Sequence, residues 1–315
     1  IHLHAEAGVI EPISCQTLYR EAQAVAVGLR RSGLKPGQTA ALMLPTGRDF
    51  FWAFAGILLA GGVPVPIYPP TRLGQLEEHL LRQKGILNNA EAATLITVVE
   101  GKRVARLLKA QVPTIRHVTT AAEVAGDPDD FRAPRLAAQD TAFLQYTSGS
   151  TGNPKGVVLT HANLLANIRA MRTALDVTPR DVFVSWLPLY HDMGLIGAWL
   201  GALCCGYPLA IMSPLAFLTK PSRWLKAIHM HRGTISAAPN FAYELCATQI
   251  SDQDLEGLDL SSWRLALNGA EPVSPDTIER FAAHFARAGF RRAAMLPVYG
   301  LAESTVGVAF PPPGR

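Results

Sequence analysis

Residues 39–68 read TAALMLPTGRDFFWAFAGILLAGGVPVPIY, and this run decides the fold class. The spacing predicts a short apolar strand over 39–44, a nearly all-apolar helix over 49–60 and a second strand over 63–68, stopped by Pro69-Pro70. A strand, a crossover helix and a strand form a parallel unit that needs helices on its faces. Upstream, residues 14–33 put Leu18, Ala22, Val25, Ala26 and Leu29 on one helical stripe, with Ser14 as N-cap and Gly33 as stop. Downstream the rhythm continues with helices over 73–88 and 101–110 and strands over 94–99 and 114–119, then a polar loop over 126–140. Further strands are expected at 142–146, 156–160, 182–186, 207–212, 233–237, 264–268 and 294–298, with helices at 161–175, 193–205, 221–231, 239–250 and 274–288. The expected class is α/β, with stacked, largely parallel sheets covered by helices. The length of 315 residues suggests about two compact units, dividing as 1–180 and 181–315.

Composition removes several function classes. With 29 Lys+Arg against 25 Asp+Glu, the net charge of +4 is small and unclustered, which argues against nucleic-acid binding and against a polybasic membrane patch. Hydrophobic residues at 49% and charged residues at 17% belong to a folded chain with a large core. Cys15, Cys204, Cys205 and Cys246 show no CxxC spacing and read as the reduced thiols of a cytoplasmic protein. The uncharged stretches 50–71 and 193–219 are interrupted by Gly and Pro too early for transmembrane segments. The start at Ile1 and the irregular end at Pro311-Pro312-Pro313-Gly314-Arg315 suggest a fragment.

Chemistry concentrates in Thr147-Ser148-Gly149-Ser150-Thr151-Gly152-Asn153-Pro154-Lys155-Gly156, a small-residue loop between two apolar strands. Its three glycines let backbone N–H groups face a ligand, its four hydroxyls add donors, and Lys155 supplies a point charge. One lysine at about 4 Å and an effective dielectric near 20 contributes roughly 4 kcal/mol of attraction before desolvation, enough for a polyphosphate when N–H donors assist. The loop is no P-loop, because GxxxxGK[ST] is absent and a strand follows it. A flexible Gly/Ser connection is the plainer alternative.

This loop, with Trp186-Leu187-Pro188-Leu189-Tyr190-His191-Asp192-Met193-Gly194, Asn268-Gly269-Ala270-Glu271-Pro272 and Tyr299-Gly300-Leu301-Ala302-Glu303, resembles the adenylate-forming superfamily over nearly the whole chain. The superfamily contains acyl-CoA ligases, nonribosomal peptide adenylation domains and fatty acyl-AMP ligases. The resemblance implies the large N-terminal AMP-binding domain of such an enzyme over 1–315, incomplete at the C-terminus and without the C-terminal lid. ATP and Mg²⁺ are the implied cofactors, with a fatty acid as substrate. An acyl-adenylate and pyrophosphate form first, and the acyl group then passes to a thiol.

Residue by residue, the resemblance makes Thr147, Ser148, Gly149, Ser150, Thr151, Gly152 and Lys155 the phosphate grip and Glu303 the Mg²⁺ carboxylate. Asn268, Gly269, Ala270 and Glu271 become one wall of the nucleotide site, and Tyr299, Gly300, Leu301 and Ala302 the other. His191 lies beside the reacting carboxylate, so that His191, Lys155 and Glu303 form the catalytic set. Each has a plainer reading from the residues alone: a structural histidine, a surface glutamate, a helix-entry turn. Trp186, Tyr190, Met193, Ile196, Trp199 and Phe241 are candidates for an acyl pocket or, equally, ordinary core. His2, His4, His229 and His231 are given no metal role, because His-x-His on a helix does not share a face.

Leu187–Gly194, the Ala238-Pro239-Asn240-Phe241-Ala242-Tyr243 string and Asn268-Gly269-Ala270-Glu271-Pro272 resemble the fatty acyl-AMP ligase branch most, and Ala302, where the broader superfamily often has threonine, fits it. That branch hands its acyl group to the phosphopantetheine thiol of an acyl carrier protein. A long-chain acyl-CoA synthetase and a non-catalytic nucleotide- or acyl-binding module stay open. Without a lid, residues 1–315 alone are expected to turn over poorly.

Overall fold

The 39–68 run forms the strand, helix and strand expected of it, as Thr39–Met43, Arg48–Leu59 and Val63–Ile67. In the computed structural model, which describes residues 1–5, 8–69, 76–147 and 155–314, these strands pair in parallel with Ala41 opposite Val65. Thr94–Thr97 flanks the other side of Thr39–Met43 and His117–Thr119 follows, so the four-stranded sheet is wholly parallel. Pro64 and Pro66 fit because Val63–Ile67 ends this strand order, where a missing N–H breaks no ladder bond. The helix Cys15–Arg31 begins at Ser14, whose Oγ accepts from the Thr17 N–H at 2.9 Å. Its expected stripe of Leu18, Ala22, Val25, Ala26 and Leu29 is buried throughout. Phe50, Phe51 and Phe54 carry the apolar helix into the core, and Phe54 meets Phe143 edge-on at 5.7 Å. These elements belong to one compact unit, Ile13–Leu164.

The other unit joins Ile1–Pro12 to Leu165–Arg315. Its seven-stranded sheet runs Met295–Pro297, Leu265–Asn268, Ile235–Ala238, Phe183–Ser185, Leu209–Met212, His2–His4, Ile10–Pro12. All neighbours are parallel except the last pair. The sequence reading divided the chain after residue 180, whereas the units divide within the helix His161–Ala174. The N-terminal strand His2–His4 joins the later unit because it pairs with Leu209–Met212. The core of this unit is aromatic: Trp224, Tyr243, Trp263 and Phe281 are fully buried, with Trp224 and Trp263 centroids 5.3 Å apart.

Three expectations are corrected. Thr141–Thr147 and Lys155–Thr160 form an antiparallel pair of their own and do not join a parallel sheet, because only seven residues separate them and a parallel crossover needs a dozen or more. A short helix, Pro214–Thr219, appears inside the uncharged stretch, capped by Ser213, whose Oγ accepts from Ala216 N–H at 3.1 Å. His2 and His4 lie on a strand, where alternate residues do share a face. His4 Nε2 comes to 2.8 Å from His231 Nε2 there, and burial, then His4 and His2, push the His231 pKa down to about 4. Among the described residues no group of three or more His, Cys, Asp or Glu is arranged to hold a metal, and no helix is long and apolar enough to cross a membrane.

One ion pair ties distant parts of this unit together. Asp181, 5% exposed, takes the Arg264 guanidinium side-on, Nε to Oδ1 at 2.8 Å and Nη2 to Oδ2 at 2.9 Å. The same guanidinium donates to the carbonyls of Leu175 and Asp176, where the helix His161–Ala174 ends.

Candidate active site

Within the Ile13–Leu164 unit, the antiparallel register places Thr147 directly opposite Lys155. These are the two ends of the small-residue loop; Ser148, Gly149, Ser150, Thr151 and Gly152 lie outside the described residues. Lys155 is exposed and among the described residues makes no ion pair. The strand leading to it is braced from below: the Tyr146 hydroxyl donates to Asn89 Oδ1 at 2.6 Å, and burial raises that phenol to about 12. Tyr146 also lies under Gly156, where an added Cβ would come within 2.9 Å of its ring.

In the other unit His191 sits at the head of a π-type helix, Met193–Leu200. Asp192, 8% exposed, accepts from His191 Nδ1 at 2.6 Å and from the Met193 N–H at 2.7 Å through the same oxygen. The hydrogen bond from Asp192 raises the His191 pKa against the opposing effect of burial, so the imidazolium persists to higher pH. With Nδ1 committed to Asp192, Nε2 is left to face a substrate. The sequence carries one signal for this partner of His191, an acid at the adjacent position.

Gly194 makes this arrangement possible. An added Cβ would lie 2.3 Å from the Pro188 carbonyl oxygen, which also accepts the His191 N–H at 3.2 Å. Gly194→Ala is therefore expected to cost about 1–3 kcal/mol and to shift the His191 turn, checked by denaturant unfolding alongside the His191 pKa from NMR titration. An unchanged stability and titration would count against the tight contact.

The six candidate acyl-pocket residues separate by burial. Trp186, Ile196 and Trp199 are buried, Tyr190 and Met193 half-buried, and Phe241 is 44% exposed. Trp186 stacks on Phe217 with centroids 4.0 Å apart and planes at 13°, and meets Phe241 edge-on at 6.1 Å. Phe217 escaped the sequence reading because its short helix did. Trp186 Nε1 is buried without a hydrogen-bond partner among the described residues, so this wall is apolar with one unspent donor.

The Asn268–Glu271 turn follows the strand Leu265–Asn268. Asn268 is fully buried; its Nδ2 donates to Asn240 Oδ1 at 3.2 Å, while its own Oδ1 has no partner among the described residues. Ala270 adopts φ +71°, strained for a residue with a Cβ, and it is exposed. Glu271 does not serve the helix that follows it; its carboxylate accepts from the Phe241 N–H at 2.6 Å and so caps Asn240–Gln249. Tyr299 is 61% exposed on the strand Tyr299–Gly300, which pairs with Gly307–Ala309. Between these strands Thr305 holds φ +76° and ψ −64°, a γ-turn closed by Val306 N–H to the Ser304 carbonyl at 3.0 Å. Gly300 is confined by the same turn, since a Cβ would meet the Val306 carbonyl oxygen at 1.7 Å. Leu301 precedes the turn, Ala302 is buried, and Glu303 projects its carboxylate into solvent with no ion pair among the described residues.

A sequence profile described as AMP-binding enzyme matches residues 5–315. The chain belongs to the AMP-binding enzyme family. Its relatives in this family include the medium-chain-fatty-acid–[acyl-carrier-protein] ligase JamA of Moorena producens, 38% identical over 95% of this chain and 51% of the relative. The long-chain-fatty-acid–AMP ligase FadD23 of Mycobacterium tuberculosis is 39% identical over 96% of this chain and 52% of its own. Among solved structures, the fatty acyl-adenylate ligase of L. pneumophila in complex with acyl adenylate and pyrophosphate superposes with a TM-score of 0.92 at 37% identity. That match covers 99% of this chain and 54% of the ligase. The chain thus spans about half the length of the relatives it matches, and its fold is that of an AMP-binding enzyme's N-terminal region.

Proposed function

We propose that this chain supplies the acid- and nucleotide-binding part of an enzyme that activates a fatty acid as acyl-AMP and passes the acyl group to a carrier-protein thiol. The observation that carries the reading is the His191–Asp192 pair at the head of an apolar helix: a proton donor held beside an apolar wall suits a fatty carboxylate. In the first step a carboxylate oxygen attacks the α-phosphorus of ATP, the acyl–O–P bond forms, and the bond to pyrophosphate breaks. In the second the thiol gives up its proton to solvent, its sulfur bonds the acyl carbon, and the acyl C–O bond breaks to release AMP. His191 offers its Nε2 proton to the carboxylate oxygen and steadies the charge shifting toward phosphorus, with Asp192 holding the ring.

Lys155, with Thr147 across the strand pair, is assigned to the departing pyrophosphate. The exposed Glu303, with no ion pair among the described residues, fits a single-carboxylate Mg²⁺ ligand. An ion that keeps several waters and arrives on substrate phosphates needs only one or two protein carboxylates. Bound there, Mg²⁺ would neutralise phosphate charge. The acyl pocket assigned to Trp186, Tyr190, Met193, Ile196, Trp199 and Phe241 rests on the apolar packing around Trp186.

The test is product analysis with the full natural chain that carries these residues, given dodecanoic to hexadecanoic acid, ATP and Mg²⁺, with and without CoA and carrier protein. Acyl-AMP that ignores CoA but acylates the carrier is expected; acyl-CoA formation would redirect the acceptor, and no adenylate would overturn the reading. In the same assay Lys155→Ala is expected to weaken pyrophosphate binding about 10–100-fold, the value of a charged hydrogen bond. An exposed site should leave the melting temperature unchanged. Unaltered pyrophosphate inhibition would remove Lys155 from the grip.

A further inference from the structure

From Met193 to Tyr243 the sequence contains no Asp or Glu, while Lys220, Arg223, Lys226 and Arg232 fall inside it. These 51 residues, four basic and none acidic, carry a net charge of +4, equal to that of the whole chain. The structure gathers part of this charge around an exposed apolar ridge. On the helix Pro214–Thr219, Leu215 and Leu218 are 60% and 51% exposed, three residues apart and so on one face. Lys220 and Arg223 are exposed beside them, and neither has an ion-pair partner among the described residues. Arg223, on the helix Ser222–His231, is already oriented: Nη1 reaches back to the Ala216 carbonyl and to Thr219 Oγ1, both at 3.3 Å.

The ridge is rigid and connected to the candidate acyl wall. Ser213 caps the helix, Pro214 opens it, and its inward side chain, Phe217, is fully buried in the 4.0 Å stack on Trp186. One six-residue helix therefore presents two leucines outward and braces the acyl wall inward. Two bare leucines flanked by unpaired cations form the apolar centre and charged rim of a protein-docking patch.

We infer that Leu215, Leu218, Lys220 and Arg223 dock the acidic face of the carrier protein that receives the acyl group. The inference rests on the carrier-acceptor reading above. Its chemistry favours this occupant: the phosphopantetheine arm is attached through a phosphodiester, so the root of the arm is negative and complements Lys220 and Arg223. Pairing with Lys220 and Arg223 steers encounter, and the leucines supply the contact that holds it.

The test uses the full natural chain and a purified acidic carrier protein, assayed separately for acyl-AMP formation and for carrier acylation. For Lys220→Glu with Arg223→Glu, acyl-AMP formation should stay within about twofold, while kcat/KM for the carrier falls at least tenfold through KM and loses its salt dependence. Leu215→Ala with Leu218→Ala should raise the carrier KM and keep the salt dependence. Lys220→Glu alone serves if the double variant misfolds, with a smaller rise in KM. Should the wild type form no acyl-AMP, the functional reading fails separately, and titration of the carrier against both chains still decides the docking: tenfold weaker binding supports it, equal binding overturns it. An unchanged carrier KM accompanied by lost binding to phosphatidylglycerol vesicles overturns it as well and assigns the patch to a membrane surface.

Discussion

Replacing Arg264 with alanine is expected to destabilise the protein by about 3–5 kcal/mol. The loss is not that of one surface ion pair, which is worth about 0–1 kcal/mol. Arg264 is the only guanidinium compensating Asp181 among the described residues, and Asp181 is 5% exposed. Truncation leaves that carboxylate buried without its cation, and also frees the Leu175 and Asp176 carbonyls that the guanidinium caps. Against a typical total of about 5–15 kcal/mol, the expected loss is a third or more of the stability. Denaturant unfolding at neutral pH measures it; a loss below about 1 kcal/mol would refute the argument. Arg264→Met combined with Asp181→Asn should recover part of it, because no charge is then stranded.

The pH dependence has a definite sign. Burial by itself would raise the Asp181 pKa, but the hydrogen bonds from Arg264, the Thr178 N–H and Thr234 outweigh it and hold the carboxyl below its ordinary range. The stabilisation is fully present above the unfolded value of about 4 and is lost as pH falls through the lower folded value. The Arg264→Ala protein should therefore differ most from the parent at neutral pH and converge with it in strong acid.

For Glu303→Gln the expected effect is on chemistry rather than stability: acyl-AMP formation down about 10²–10³-fold, with the melting temperature unchanged. The exposed carboxylate has no ion-pair partner among the described residues to strand, so its removal disturbs only what binds to it. A Mg²⁺ titration at fixed ATP separates roles, since a ligand loss shifts the half-saturating Mg²⁺ concentration upward. Full activity with an unaltered titration would remove Glu303 from the metal.

What the sequence disclosed follows from what each pattern depends on. The 39–68 run was legible to within a residue or two because apolar strands and an apolar helix between Pro and Gly punctuation have few other solutions. The His2–His4 strand was not, since His-Leu-His offers no apolar run and gains its identity from Leu209–Met212, about 200 residues away. The pair of Asp181 with Arg264, 83 positions apart, leaves no local trace at all. Within the site, residue types were readable while partnerships were not. Glu271 sits in a quoted motif, yet the structure gives its carboxylate to the Phe241 N–H, which only the fold brings near. Asp192 was the opposite case, a neighbour whose role adjacency alone could have signalled.

The π-type stretch Met193–Leu200 carries a consequence for backbone geometry. Such a helix is an α-helix carrying a surplus residue, and relaxing it to α geometry at unchanged length would improve its hydrogen bonding while turning everything upstream by about 100°. His191 would swing away from the face it now occupies. Local helix stability and the aim of the histidine thus ask for different backbone geometries between His191 and Gly201, and the chain holds the one that aims the histidine.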